Sequence, residues 1–308
     1  MKTALLFAGQ GAQFIGMGKD LAEQFPSAKW LFEQANETLG YDLAAVCFNG
    51  PEEALTRTEN AQPAIFLVSW IAFEVLRERL PTLTFEAVAG LSLGEFTALA
   101  AADTFSFEEG LKLVRQRGRF MSDAAASTRG AMAAVIGMEP EEARKVAEES
   151  GVEVANLNCP GQIVLSGEAA KIDAACELAR TRGAKRVLPL AVGGAFHSKL
   201  MAAAKPKLQS ALAKVPLRPP TVSVISNVTA EPHAGAEEIS RLLVDQITSP
   251  VRWEDSMRYL LGQGFERFIE LGPGTALTGF MKRIDRNARV LNVGNVASLK
   301  TTVQALVT

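Results

Sequence analysis

At 308 residues, with 48% apolar and 21% charged residues, the chain is long enough to bury a large core and too apolar to be disordered or fibrous. Its 32 Lys plus Arg nearly balance 34 Asp plus Glu; the formal net charge of -2 gives no general attraction to nucleic acid or anionic membrane, so any anion-binding surface must be local. The three cysteines, Cys47, Cys159 and Cys176, are widely spaced and include no Cys-x-x-Cys pair, which argues against zinc or redox work and for a reducing compartment, the cytoplasm.

Residues 3–8 read as a buried strand, too short for a signal-peptide core, followed by a tight loop of small and polar residues at 9–13 that can carry a site. Helical patterns follow at 20–39 and 64–79. The apolar stretch 64–76 is interrupted by Ser69 and Glu74 and falls short of the roughly 20 residues that span a bilayer, so it reads as a buried helix. A strand at 85–90 runs into Gly90-Leu91-Ser92-Leu93-Gly94 and then into a helix of small residues at 95–102. A further helix, 107–121, places Leu111, Val114, Gly118 and Met121 on one buried face.

From 130 to 192 the pattern is strand 131–138, a helix opened by Glu139-Pro140-Glu141-Glu142, hairpin strands 152–157 and 162–166 about a turn at 158–161, helix 169–182 and strand 185–190. Strand, helix, strand, strand, helix, strand is the order of a ferredoxin-like unit. Beyond it come a strand at 221–225, a helix at 237–246, a strand at 267–271, and the turn Gly272-Pro273-Gly274 before a helix at 276–283. The expected fold is therefore α/β: an α/β-hydrolase-like large domain with a parallel sheet core, residues 1–128 and 193–308, interrupted by a ferredoxin-like small subdomain, residues 129–192. A cleft between them is a favoured place for a substrate.

Gly-x-Ser-x-Gly between a strand and a helix holds the serine on a sharp turn with its hydroxyl exposed, which makes Ser92 the candidate nucleophile. A serine needs a base, and the chain has two histidines. His197, in Gly193-Gly194-Ala195-Phe196-His197-Ser198 directly after a predicted strand, is preferred to His233, which reads as a solvated loop residue in Glu231-Pro232-His233-Ala234-Gly235. The group that orients the imidazole stays open at this level: Asp245, Asp255, Glu270 or a backbone carbonyl.

Five blocks in this order, Gly9-Gln10-Gly11-Ala12-Gln13, Gly90 to Glu95, Arg115-Gln116-Arg117-Gly118, Gly194 to Ser198 and Gly272-Pro273-Gly274, make the chain resemble the malonyl-CoA:acyl carrier protein transacylase family over nearly its whole length. The resemblance implies a ping-pong acyltransferase. Ser92 takes malonyl from malonyl-CoA as an ester and passes it to the phosphopantetheine thiol of acyl carrier protein for fatty-acid synthesis, with His197 as general base and then acid. It further implies backbone N–H groups of Gln10 and Leu93 as the oxyanion hole, the Gln246 carbonyl as the group orienting His197, and Arg117 as the carboxylate-binding residue. Helical spacing alone places both Arg115 and Arg117 at the edges of the buried stripe, and it is the resemblance that selects Arg117.

Gln62, Met121 and Asn158 are pocket residues by similarity, and Phe196 narrows the pocket against substituents on the malonyl α-carbon. Leu91 stands where many members have histidine. No metal or bound cofactor is implied, coenzyme A entering as a thioester substrate; the expected partner is acyl carrier protein, docked transiently on a monomer. Carrier proteins are generally acidic, which makes Lys185, Arg186, Lys199, Lys205, Lys207, Lys282 and Arg283 candidate docking residues. A polyketide acyltransferase, or a serine hydrolase or thioesterase with the same Ser–His pair, are the competing readings.

Overall fold

The computed structural model describes residues 1–307. Five short apolar runs, β1 (Lys2–Phe7), β2 (Ala87–Gly90), β7 (Ser223–Ile225), β8 (Phe265–Leu271) and β9 (Arg289–Val293), pair in parallel as one sheet in the order β7-β2-β1-β8-β9. Helices cover both faces, so the central strands are apolar along their length rather than alternating; all of β2 is buried. Counted as they appear along the chain, these strands lie in the order 3-2-1-4-5. The winding direction reverses between β1 and β8, and in such sheets ligands bind at the carboxyl ends of the strands beside that reversal. Gly9 and Gln10 leave β1 there, Leu91 and Ser92 leave β2, and Gly272 leaves β8.

The second sheet is antiparallel. It comprises β3 (Gly130–Ile136), β4 (Glu153–Cys159), β5 (Gln162–Glu168) and β6 (Arg186–Pro189), in the order β4-β5-β3-β6. Helices Pro140–Ser150 and Ala169–Thr181 pack against it around a separate core that includes Val135, Val146, Leu165 and Ile172. This is the expected strand and helix order. The two sheets are joined by backbone hydrogen bonds from Val251 to Ala155 (2.8 Å) and from Leu157 to Val251 (2.9 Å), and by Arg283, which donates to Gln162 Oε1 and the Pro160 carbonyl.

Several element boundaries differ from the sequence expectation, each for a local reason. The helix expected at 20–39 is two, Lys19–Gln24 and Pro26–Leu39, because a residue before proline avoids the helical region; Phe25 has φ -122° and ψ 118°. The helix expected from 64 begins at Thr58 and runs to Arg79, through Pro63. Proline removes the hydrogen bond to the carbonyl four residues back, and Arg115 Nη1 donates to that carbonyl, Glu59 O. The turn expected at 158–161 narrows to Pro160–Gly161, since Cys159 already pairs with Gln162; Asn158 is a strand residue. Strand β9 and helices Trp253–Gly262 and Val296–Val307 were not anticipated. Among the described residues no helix is long and apolar enough to cross a membrane.

Candidate active site

Ser92 ends the turn from β2 into helix Leu93–Ala101 with φ 51° and ψ -98°, a backbone conformation that is costly for any residue with a side chain. The flanking glycines permit it. A Cβ on Gly90 would lie 1.9 Å from the Gly94 carbonyl, and one on Gly94 would lie 2.2 Å from the Phe7 carbonyl, so strand, turn and helix approach more closely than any other residue allows. Leu93 is the first helical residue and fully buried; its N–H has no intrahelical partner.

His197 Nε2 stands 2.8 Å from Ser92 Oγ, and His197 Nδ1 stands 2.9 Å from the Gln246 backbone oxygen. A carbonyl only accepts, so Nδ1 carries the proton and the Nε2 lone pair faces the serine, the tautomer a general base needs. Gln246 is the last residue of helix Ala236–Gln246, and its carbonyl is one of those a helix end leaves unpaired. The three acids left open by the sequence are engaged elsewhere: Asp245 with Lys205 at 2.8 Å, Asp255 with Arg252 at 2.8 Å, and Glu270 with the N–H groups of Leu277 and Thr278. Burial, and after it the Arg117 charge, lower the His197 imidazole to about 4 against the opposing pull of the Gln246 carbonyl. The ring is therefore neutral at physiological pH.

Arg117 is 1% exposed, whereas Arg115 is half-buried against Tyr41 and Arg119 faces solvent. Its Nη2 donates to Ser92 Oγ at 3.0 Å and to Gln246 Oε1 at 2.8 Å, and its Nη1 donates to Gln62 Oε1 at 2.8 Å. All three acceptors are neutral oxygens. The guanidinium also lies over the Phe96 ring, and its Nε is buried without a partner. Burial, opposed by the Glu95 charge, leaves Arg117 lowered to about 10, so it stays charged at neutral pH.

These groups open on a cleft of about 240 Å³ between the two sheets, lined by Gln10, Leu91, Ser92, Arg117, Met121, Asn158, Phe196 and His197, with Met132, Val164 and Leu190 from the antiparallel sheet and its exit. Asn158 Oδ1 is buried and unpartnered there. Gln62, Leu93 and Gln246 stand behind this wall rather than in it; Gln62 Nε2 also reaches Met121 Sδ at 3.5 Å. Gln10 Nε2 donates to Thr58 Oγ1 at 3.2 Å, which holds the first loop against the helix that carries Gln62. Among the described residues no cluster of His, Cys, Asp or Glu has the arrangement of a metal site.

Two expectations need correction. His233 is not a solvated loop residue: it is 7% exposed, and its Nε2 lies 2.8 Å from the buried carboxylate of Glu95. The loop after β7 folds inward there, which a polar loop sequence does not reveal. Of the basic residues proposed for docking, Lys205 is paired with Asp245, Lys207 with Asp123 at 3.1 Å, and Arg283 is occupied in joining the sheets. Lys185, Arg186, Lys199 and Lys282 remain as exposed cations. Sequence reasoning also passed over Glu95 and Asn227. Asn227 Oδ1 accepts the Ser92 N–H at 2.6 Å and its Nδ2 donates to Gly90 O at 2.8 Å. The signal available for Glu95 was a carboxylate inside an otherwise small and apolar helix.

Residues 4–302 match the acyl transferase domain. The chain is 45% identical to the malonyl CoA-acyl carrier protein transacylase of Bacillus subtilis (strain 168) over 310 residues, 99% of this chain and 97% of that one. Its structure resembles the acyl-carrier-protein-S-malonyltransferase of Bartonella henselae, with TM-score 0.95, 39% identity and all of both chains covered. It also resembles a malonyl-transacylase solved in complex with its type II PKS acyl-carrier protein, with TM-score 0.96, 36% identity, and 99% of this chain and 100% of that one covered. A match over nearly every residue, at such identity and with the same two-sheet fold, means that the chain belongs to the malonyl CoA-acyl carrier protein transacylase family of acyl transferase domains.

Proposed function

We propose that this protein moves a malonyl group from coenzyme A to the phosphopantetheine thiol of an acyl carrier protein, through an ester on Ser92. The observation that carries the reading is Arg117: a buried cation, 3.0 Å from the nucleophile, whose hydrogen bonds all go to neutral oxygens. The nearest carboxylate, Glu95, reaches it only through Gln246, so no counter-charge bonds it directly; that is costly for a buried cation, and a substrate ending in a carboxylate supplies the missing contact. A neutral acyl group leaves the cost in place.

The chemistry follows from the Ser92–His197 geometry. Ser92 Oγ attacks the thioester carbonyl as His197 Nε2 takes its proton; the tetrahedral intermediate collapses, the carbon–sulfur bond breaks, and the proton passes to the departing thiolate of coenzyme A. The carrier thiol then enters, gives its proton to His197, attacks the ester carbonyl and displaces Ser92, which recovers that proton. In both halves the oxyanion is held by the N–H groups of Gln10 and Leu93, the latter at a helix N-terminus. Gln246 keeps the imidazole in the accepting tautomer, while Gln62 and Met121 back Arg117. Phe196 and Asn158 shape the acyl pocket.

The likeness to a transacylase bound to a type II PKS acyl-carrier protein favours a second reading, in which the same site loads a polyketide carrier. The test for transfer itself is direct. The protein is incubated with radiolabelled malonyl-CoA alone, the acylated residue is mapped, and fatty-acid or polyketide carrier protein is added. The expected result is label on Ser92 that chases to the carrier thiol. Label on another residue, or loss of label to water at the same rate with and without carrier, overturns the proposal.

A further inference from the structure

Beneath Ser92 lies a hydrogen-bond network whose outermost member takes no part in the proposed transfer. His233 is in the loop between β7 and helix Ala236–Gln246, with a side chain 0% exposed, and its Nε2 is 2.8 Å from Glu95 Oε1. Glu95 Oε2 accepts the Asn227 backbone N–H at 3.0 Å and Gln246 Nε2–H at 2.8 Å. A carboxylate surrounded by N–H donors is an acceptor, so His233 Nε2 carries a proton and donates.

Two branches lead from Glu95 to the nucleophile. Through Asn227, the Ser92 N–H (2.6 Å) and the Gly90 carbonyl (2.8 Å) are both held. Through Gln246, the Ser92 carbonyl is held at 3.1 Å, Arg117 at 2.8 Å and His197 at 2.9 Å. The N–H and the carbonyl of Ser92 are thus both fixed by the side chains of two residues that bond to one carboxylate, Asn227 through its backbone N–H and Gln246 through its side-chain amide. A serine at φ 51° persists only where its surroundings over-determine it.

We propose that His233 is a positioning residue for the nucleophile: by donating to Glu95 Oε1 it fixes the carboxylate that, through Asn227 and Gln246, holds the strained Ser92 turn. Without that donor, Glu95 Oε1 is buried and unsatisfied, and the carboxylate turns to share the donors of Oε2. Either shared donor then loosens one branch. A displacement of about 1 Å at a reacting group costs up to about 100-fold in rate. Arg117 keeps its separate anchors, Gln62 and the Phe96 ring, so carboxylate recognition is preserved. The inference rests on Ser92 being the nucleophile and not on the identity of the acyl group.

The test measures the rate at which a fluorophosphonate probe labels Ser92 in the full chain, in His233→Leu, which removes the donor, and in His233→Gln, which restores an N–H. Malonyl-CoA and acetyl-CoA acylation are followed in parallel. The expected result is labelling slowed about 10- to 100-fold in His233→Leu and recovered to within about threefold in His233→Gln. Both acyl groups are slowed by the same factor. Unchanged labelling in His233→Leu, or equal loss in both variants, overturns the inference.

Should His233→Leu not fold, the parent chain carries the test. With two histidines, its 15N-histidine spectrum is assignable using His233→Gln. A His233 ring without a proton on Nε2 overturns the inference. A parent chain inert to the probe overturns the Ser92 reading and this inference with it, whereas a labelled parent that transfers no malonyl removes only the acyl identity.

Discussion

Replacing Arg117 with alanine tests the proposed carboxylate recognition at its centre. The substitution removes a buried cation 3.0 Å from Ser92 Oγ and leaves Gln62 Oε1 and Gln246 Oε1 without the donors they now have. A charge-assisted contact made to a substrate in a buried site is worth about 2 to 4 kcal/mol on truncation. At about 1.4 kcal/mol per tenfold, kcat/KM for malonyl-CoA falls roughly 30- to 700-fold. Acetyl-CoA offers no carboxylate, so its acylation rate changes by less than about threefold or rises, since no guanidinium then faces the neutral acyl group. Arg117→Lys keeps the charge but loses the planar fork and falls between the two.

The same variant has a second signature that a packing defect does not produce. After burial, the Arg117 cation is the next cause holding His197 near 4, so its removal moves the imidazole upward. His197 accepts a proton only when neutral, and the rate therefore rises with pH through its pKa; in Arg117→Ala the acid limb of acylation shifts to higher pH. The assay is stopped-flow release of coenzyme A from malonyl-CoA and acetyl-CoA between pH 4 and 8. An unchanged malonyl-to-acetyl ratio refutes carboxylate recognition by Arg117. An unmoved acid limb refutes its coupling to His197.

His197 is depressed in the folded protein, to about 4 from an ordinary 6.5, so the unfolded chain takes up the proton first as the medium is acidified. Stability from this group is fully present above about pH 6.5 and is lost as pH falls through about 4, on the order of 3 kcal/mol. Thermal melts across that range are expected to show a smaller drop in His197→Gln than in the parent, and equal drops count against the neutral buried imidazole. Phe196→Ala opens the cleft beside the malonyl α-carbon, and methylmalonyl-CoA acylation is expected to rise at least about fivefold relative to malonyl-CoA; an unchanged ratio removes Phe196 from substrate selection. For docking, charge reversal at Lys199 and Lys282 weakens acidic carrier binding, most at low salt, whereas affinity insensitive to both salt and reversal rejects an electrostatic surface.

The parts of the fold legible in the sequence are those where one residue pattern has one physical solution. The strand Lys2–Phe7 was legible, to within a residue at each end, because an apolar run that short, followed closely by glycine, fits a doubly covered parallel strand. The small sheet was legible because its strands and helices follow one another in the order strand, helix, strand, strand, helix, strand between Gly130 and Pro189. Strand β9 was not, since Arg289–Val293 is largely half-exposed and owes its place to pairing with β8, whose register partners lie 22 residues away. The start of helix Thr58–Arg79 was hidden for a similar reason: the carbonyl freed by Pro63 is satisfied by Arg115, which a local reading does not contain.

The site divides along the same line. Ser92 and His197 announce themselves by motif, because the strained backbone at both, with φ 51° and 58°, demands the glycines and small residues around them. Arg117 is separated from Arg115 only by what lies opposite each: Ser92, Gln62 and Gln246 for one, Tyr41 and the Glu59 carbonyl for the other. His233 is the extreme case. Its neighbours in sequence are polar and its neighbours in space are Glu95 and the underside of the nucleophile turn, 138 residues away. A long-range contact of that kind leaves no local trace except a mismatch: Glu95, a carboxylate in a helix otherwise made of small and apolar residues, had to have a buried donor somewhere. With two histidines in the chain and one facing Ser92, the mismatch itself singles out His233 as a candidate for that donor.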